Sequence, residues 1–282
     1  MKISRSISSL HAYAHFLVVA ALAAIVSGAY VTSAEVAARQ SQFAVSAGFK
    51  DELHTALAVA LTLLSLALAV WTSFASPAGW TRFAAWSGFA TLAGAMALGW
   101  RPPLSPVPGV LHALLSHLFF ALIVAFAVGT SAGWNREPER VDGSGKPALR
   151  ALAASIPPIV FLQIALGATY RHDITSVMPH ILVAMGVALL ALIGSSMILQ
   201  NFQRPASLRR AAAVLISIVL VQVCLGIASF VMLVLNSAGT SWFILATVGH
   251  VSVGAATLAA AVVVAMEVWR CVDPHQGNPG GS

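Results

Sequence analysis

The chain has 282 residues, 59% of them hydrophobic and 9% charged, with a mean hydropathy of +0.87. A water-soluble domain cannot hide that much apolar surface, so the composition excludes one and makes lipid the natural solvent. The net charge of +6 does not point to nucleic acid, because the 15 basic residues form no stripe interleaved with aromatics and fall between apolar runs.

A bilayer core about 30 Å thick needs roughly 20 apolar residues per helical crossing. Eight runs meet that need, at 10–31, 54–75, 81–100, 109–131, 151–170, 179–199, 211–235 and 242–269. Their hydrophobicity is continuous rather than alternating, which predicts helices and not a barrel. The first run follows Lys2 and Arg5, is too long for a signal-peptide core and lacks a clean cleavage site, so it reads as a span. The third is the weakest, interrupted by Gly88, Gly94 and Gly99.

Between the fourth and fifth runs, Trp134–Pro147 is polar and rich in Gly and Pro, the composition of a linker. The expected organisation is therefore all-α and integral to the membrane, as two tandem, pseudo-symmetric four-helix bundles. Residues 1–131 form the N-terminal half, 132–150 a cytoplasmic linker, 151–270 the C-terminal half and 271–282 a disordered tail.

With the N-terminus inside, eleven basic residues fall on inner segments: Lys2, Arg5, Arg82, Arg136, Arg140, Lys146, Arg150, Arg204, Arg209, Arg210 and Arg270. Four fall on outer segments: Arg39, Lys50, Arg101 and Arg171. That bias predicts cytoplasmic termini in a plasma membrane. Cys224 and Cys271 share no loop, so no disulfide is expected.

The halves echo one another. Gln163-Ile-Ala-Leu-Gly167 recurs as Gln222-Val-Cys-Leu-Gly226, while the first-half counterparts around Gly28 and Gly94 keep the glycine and lose the glutamine. An even number of spans per half makes this a parallel repeat.

Polar residues inside spans are costly and need a reason. His54, His117, His180 and His250 fall one per even-numbered span, toward the outer face. One neutral imidazole from each of two facing helices is what axial ligation of heme iron requires. The repeat predicts the pairs His54 with His117 and His180 with His250, as ligands of heme iron. The alternative is that each imidazole simply bonds a backbone carbonyl or rests at the headgroups.

His112 lies five residues before His117, about 140° around the helix, and competes for the fourth-span role. Zinc is the weaker metal, because no three or four ligands converge in the sequence. His11 and His15 share one helical face near the inner end of span one and read as interfacial anchors. In an outer loop, Arg171 and His172 are placed to meet a heme propionate, Arg171 the better by charge.

Two acids open the second span. Asp51 stands three residues before His54 and projects beside it, whereas Glu52 points away. Each reads either as a complement to the helix dipole or as a group that holds or moves a proton at a heme edge.

Taken together, these residues resemble the heme A synthase family. The match is most specific at Gln163-Ile-Ala-Leu-Gly-Ala-Thr-Tyr-Arg-His172, similar to that family's fifth-span motif, with Gly28-Ala-Tyr-Val31, Ser116-His-Leu118 and Val248-Gly-His-Val251 resembling segments of its first, fourth and eighth spans. The resemblance covers nearly the whole chain. It implies oxidation of the heme O methyl group to a formyl, giving heme A, with a resident heme b between His180 and His250. His54 and His117 would flank the substrate heme, and the catalytic acid would fall at Asp51.

Two departures concern that catalytic end. The family carries a glutamate at this position and an arginine after the histidine, where this chain has Asp51-Glu52-Leu53-His54-Thr55, so either Asp51 or Glu52 serves. The outer-loop cysteine pair of many members is also missing. The partners implied are the heme O substrate, heme O synthase or terminal-oxidase assembly proteins, the bilayer and a second copy of the chain. Two other readings fit the same scaffold: an electron-transfer cytochrome with two bis-histidine hemes, and a non-catalytic oxidase assembly factor.

Overall fold

In lipid, every backbone N–H and C=O must find its partner within the protein, and a helix does this locally. The computed structural model of the protein describes residues 2–41, 48–75, 79–100, 105–143 and 148–273. Its helices are α1 (Lys2–Ser41), α2 (Gly48–Ala75), α3 (Gly79–Gly99), α4 (Val107–Gly129), α5 (Ala148–Arg171), α6 (Met178–Asn201), α7 (Ala206–Val234) and α8 (Ser241–Cys271). Two short strands, β1 (Val141–Asp142) and β2 (Val272–Asp273), pair in parallel.

Among the described residues, seven helices are long and apolar enough to cross a membrane. The chain is thus an all-α protein built for a bilayer. The exception is α3, which has the length but carries Arg82, two tryptophans and four glycines in its 21 residues. Its faces pack on α2 and α4.

Prolines set several starts, since a missing N–H costs nothing in a first turn. Pro106 precedes α4, Pro179 lies at the head of α6 and Pro205 precedes α7. Thr240 caps α8, its hydroxyl accepting from the Phe243 amide at 3.3 Å. The helix α2 begins at Gly48, six residues before the run read from hydropathy, so His54 lies inside the helix rather than at its tip.

Helices α1, α2, α3 and α4 pack in a closed ring, as do α5, α6, α7 and α8. The first ring encloses Leu10, Leu17, Leu68, Phe119 and Phe126, joined by Ala255 and Ala259 of α8. The second encloses Leu149, Ile156, Ile198, Leu208, Leu215 and Val264, joined by Ala121 of α4. The most buried helix is α8, which touches α1, α4, α5 and α7; small residues at Gly254, Ala255, Ala259, Ala260 and Ala261 permit that crowding.

The segment expected to be a free linker is docked instead. Besides the β1–β2 pair, Arg140 bonds Asp273 at 2.8 Å, and Arg150 donates to the Val272 carbonyl. Arg270 donates to the carbonyls of Gly133, Trp134 and Arg136 at 3.0, 2.9 and 2.7 Å, and its guanidinium stacks on Trp134. These contacts also correct the tail boundary, because Cys271 ends α8 and Val272 and Asp273 belong to β2. Residues 274–282 of the expected disordered tail, together with Arg101 and Lys146, lie outside the described residues, as do the side chains of Lys2, Arg5, Arg39 and Lys50.

Candidate functional site: two facing imidazole pairs

The even-numbered helices run in one direction and bring four imidazoles to one end of the molecule, away from the linker. His180 of α6 faces His250 of α8, with ring centroids 6.1 Å apart and planes at 82°. His54 of α2 faces His112 of α4, at 6.2 Å and 79°. An imidazole nitrogen sits about 2 Å from a bound first-row metal, and the ring centre lies roughly 1 Å behind it, so two axial imidazoles on one iron have centroids about 6 Å apart. Both pairs have that separation.

One local device positions all four rings. Each lies against a glycine of the preceding odd-numbered helix, where an added Cβ would collide with the ring: 2.8 Å from Cε1 of His54 at Gly28, 2.7 Å from Nδ1 of His112 at Gly99, 2.9 Å from Cε1 of His180 at Gly167 and 3.0 Å from Cε1 of His250 at Gly226. The carbonyl four residues before that glycine then meets Nδ1. His112 bonds Ala95 O at 2.8 Å, His180 bonds Gln163 O at 3.2 Å and His250 bonds Gln222 O at 3.3 Å. At His54 a hydroxyl comes between: Nδ1 lies 2.9 Å from the Ser27 hydroxyl, which itself donates to Ala24 O at 2.9 Å.

A carbonyl only accepts, so where it is the partner of Nδ1 that nitrogen carries the proton and Nε2 keeps the lone pair. In the C-terminal half the glutamine amide nitrogens also approach the rings, Gln163 at 2.9 Å from His180 Nδ1 and 3.3 Å from its Nε2, and Gln222 at 3.5 Å from His250 Nε2. The carbonyl-bonded form is the neutral tautomer, oriented by a backbone acceptor, that a metal-binding histidine needs. Two Nε2 atoms per pair fit the two axial positions that a porphyrin leaves open on iron. Among the described residues no group of three or more His, Cys, Asp or Glu converges on one point.

The two pairs differ at the residue that supplies the carbonyl. In the N-terminal half it is alanine, Ala24 and Ala95; in the C-terminal half it is glutamine, Gln163 and Gln222. The Gln163 amide donates to the His180 backbone carbonyl at 2.8 Å and rests 2.9 Å from the ring Nδ1. The Gln222 amide lies 3.5 Å from Nε2 of His250. Both Oε1 atoms are buried without a hydrogen-bond partner.

The expected pairing of His54 with His117 is corrected by this geometry. His117 is buried and turns Nδ1 back to Ala113 O of its own helix, at 2.7 Å. His112, the competitor for the fourth-span role, stands opposite His54 instead. Likewise Gly94 is not the counterpart glycine: it meets Leu115, and Gly99 does the work expected of it. The sequence held the signal, since thirteen residues separate Gly99 from His112 and Gly167 from His180 alike.

Asp51 and Glu52 are both exposed in the first turns of α2. Asp51 is near enough to act electrostatically on His54, and Glu52 is not among the charges His54 feels. Arg171, at the end of α5, spans to α1 and donates to Ala29 O at 3.1 Å and to the hydroxyls of Thr32 and Ser33, each at 2.6 Å. Its Nε is buried and unpaired. Thr247 of α8 joins this cluster through Ser33, at 2.9 Å.

His172 packs its ring on Gly109 of α4, three residues before His112. Burial, reinforced by the Arg171 charge, lowers its pKa from 6.5. The Arg171-His172 dipeptide therefore lies between the two pairs, its charge felt by His250 on one side and His172 close to His112 on the other. No protein-family model matches the chain, and no curated protein matches it.

Proposed function

We propose that the chain is a heme-binding membrane oxidoreductase of the heme A synthase kind, spanning a plasma membrane eight times as two pseudo-symmetric halves. The observation that carries this reading is the repeated unit of glycine, backbone carbonyl and imidazole, present four times and facing in two couples 6.1 and 6.2 Å apart. Both termini are cytoplasmic by the distribution of basic residues, which puts the imidazole couples at the outer face.

His180 and His250 hold a resident heme b, and His54 with His112 hold the heme O substrate. Alanine at 24 and 95 sets a smaller side chain beside the N-terminal couple than Gln163 and Gln222 set beside the C-terminal one, which suits a substrate macrocycle with the bulkier periphery. Arg171 and His172, between the couples, offset propionate charge. Iron porphyrin, when bound, would supply one-electron chemistry. Taking a methyl group to a formyl removes four electrons and four protons when water brings the oxygen atom, and the electrons must leave to an external oxidant.

The chain's own part is to fix each tautomer, exclude water with apolar helix faces and hold a proton acceptor near the substrate. That acceptor is a carboxylate oxygen of Asp51, favoured over Glu52 by its electrostatic contact with His54. The electron-transfer cytochrome is the second reading, favoured by the likeness of the two couples, which one ligand type would explain.

Expression in a heme O-producing host, pigment extraction and mass analysis separate the two. Heme A in the extract supports the oxidoreductase; b-type heme alone, without conversion, supports the cytochrome. Asp51→Asn is expected to abolish heme A formation while leaving both pigments bound, and undiminished product from Asp51→Asn and from Glu52→Gln would remove carboxylate catalysis.

A further inference from the structure

A third pair of imidazoles lies at the other end of the molecule and plays no part in the site above. His11 and His15 occupy one face of α1 in His11-Ala-Tyr-Ala-His15, thirteen residues before Gly28 at the nearer end, or about 20 Å along the helix. His11 Nδ1 stands 2.9 Å from Ala127 O of α4, so this nitrogen carries the proton and Nε2 of His11 has a free lone pair. The His15 Nε2 is 3.1 Å from that lone pair, the ring centroids are 4.3 Å apart and the planes cross at 70°. The two rings thus converge at their Nε2 atoms.

Two nitrogens bound to one zinc-like cation at about 2.0–2.1 Å, with an angle between right and tetrahedral, lie roughly 3 Å apart. The spacing i, i+4 is also the one by which a single helix presents two histidines to zinc. Without a metal the 3.1 Å contact is a hydrogen bond from His15 Nε2–H to the His11 Nε2 lone pair; a cation would displace that one proton and take both nitrogens as ligands. His15 is exposed and His11 half-buried, so the open coordination positions face outward.

We propose that His11 and His15 form a two-histidine site for a borderline divalent cation such as zinc, copper or nickel, in preference to magnesium or calcium. With two protein ligands and the remaining positions left to water, the site is exchangeable rather than structural. It also tethers α1 to α4, because the His11 ring that binds the metal is held by Ala127.

The test uses the untagged full-length protein in detergent. Copper(II) is added to the pigmented protein, and the electron paramagnetic resonance spectrum and bound stoichiometry are compared with those of His15→Ala, His15→Gln and His11→Ala. The expected result is one copper with two nitrogen ligands in the parent, lost in all three variants while the Soret band is unchanged. Copper binding that persists equally in His15→Ala, or a parent spectrum with a single nitrogen ligand, would overturn the proposal in favour of a plain hydrogen bond. Because His15 is exposed and bonds only His11, its variants fold whether or not His11→Ala does.

Discussion

The two imidazole couples follow one rule and differ in one residue. In each, a glycine clears the space and a carbonyl four residues earlier orients the ring through Nδ1, directly in three cases and through the Ser27 hydroxyl at His54. Where the C-terminal couple has Gln163 and Gln222, the N-terminal couple has Ala24 and Ala95. The backbone part of the device is independent of side chain, so the chain keeps the geometry of the ring while changing what lies beside it. A repeated scaffold can in this way hold one ligand firmly and leave a larger space for another.

The sharpest way to break the comparison is to remove a ring from each couple. His180→Ala and His250→Ala are each expected to eliminate the pigment of the C-terminal couple and leave that of the N-terminal one, read as loss of half the Soret absorption. His54→Ala should do the converse. A residual spectrum of the same size in every variant would show that the couples are not separate sites.

Refilling the glycine space comes next. Gly167→Val places its branched Cβ within 2.9 Å of His180 and should abolish binding there, since both backbone and ring are held on either side. Gly94→Ala, facing only the flexible end of Leu115, should leave the pigment unchanged and serves as the control. Pigment content per chain after purification decides both.

Exchanging the differing residues gives a smaller effect. Ala24→Gln with Ala95→Gln is expected to narrow the N-terminal site and weaken heme O uptake more than uptake of plain heme b, measured by titration of pigment-free protein. Gln163→Ala should weaken the C-terminal site by about fivefold, the worth of one ordinary hydrogen bond near 1 kcal/mol. Equal loss for both hemes in the double variant would deny the alanines any role in selection.

The smallest expected effect is one of pH. The pKa of His172 in the folded chain lies below 6.5, so below that value the unfolded chain binds more protons and stability falls as the pH drops. His172→Gln should make the melting temperature less sensitive to acid between pH 6.5 and a more acidic pH. A parent chain equally stable at both values contradicts this.

Much of the fold could be read from composition, because a helix in lipid needs only length and apolarity. Eight spans are read that way, and among the described residues seven of the eight helices are long and apolar enough to cross a membrane, the exception being α3, the run that is weakest in the sequence. What could not be read was rotation. His112 and His117 are both on α4, about 140° apart, and which of them faces α2 depends on how α4 packs against α8, where His117 is buried. The glycine that mattered was likewise Gly99 rather than Gly94, a difference of five residues within a run of small side chains that hydropathy does not distinguish. The docking of the linker was hidden for another reason: it rests on arginines bonding backbone carbonyls, which leave no trace in the pattern of residue types.

The central claim is that His112, not His117, completes the N-terminal couple. Heme content per chain in His112→Ala against His117→Gln tests it most directly. The account predicts one heme in the first variant and two, with a lowered melting temperature, in the second; two hemes in His112→Ala and one in His117→Gln would contradict it.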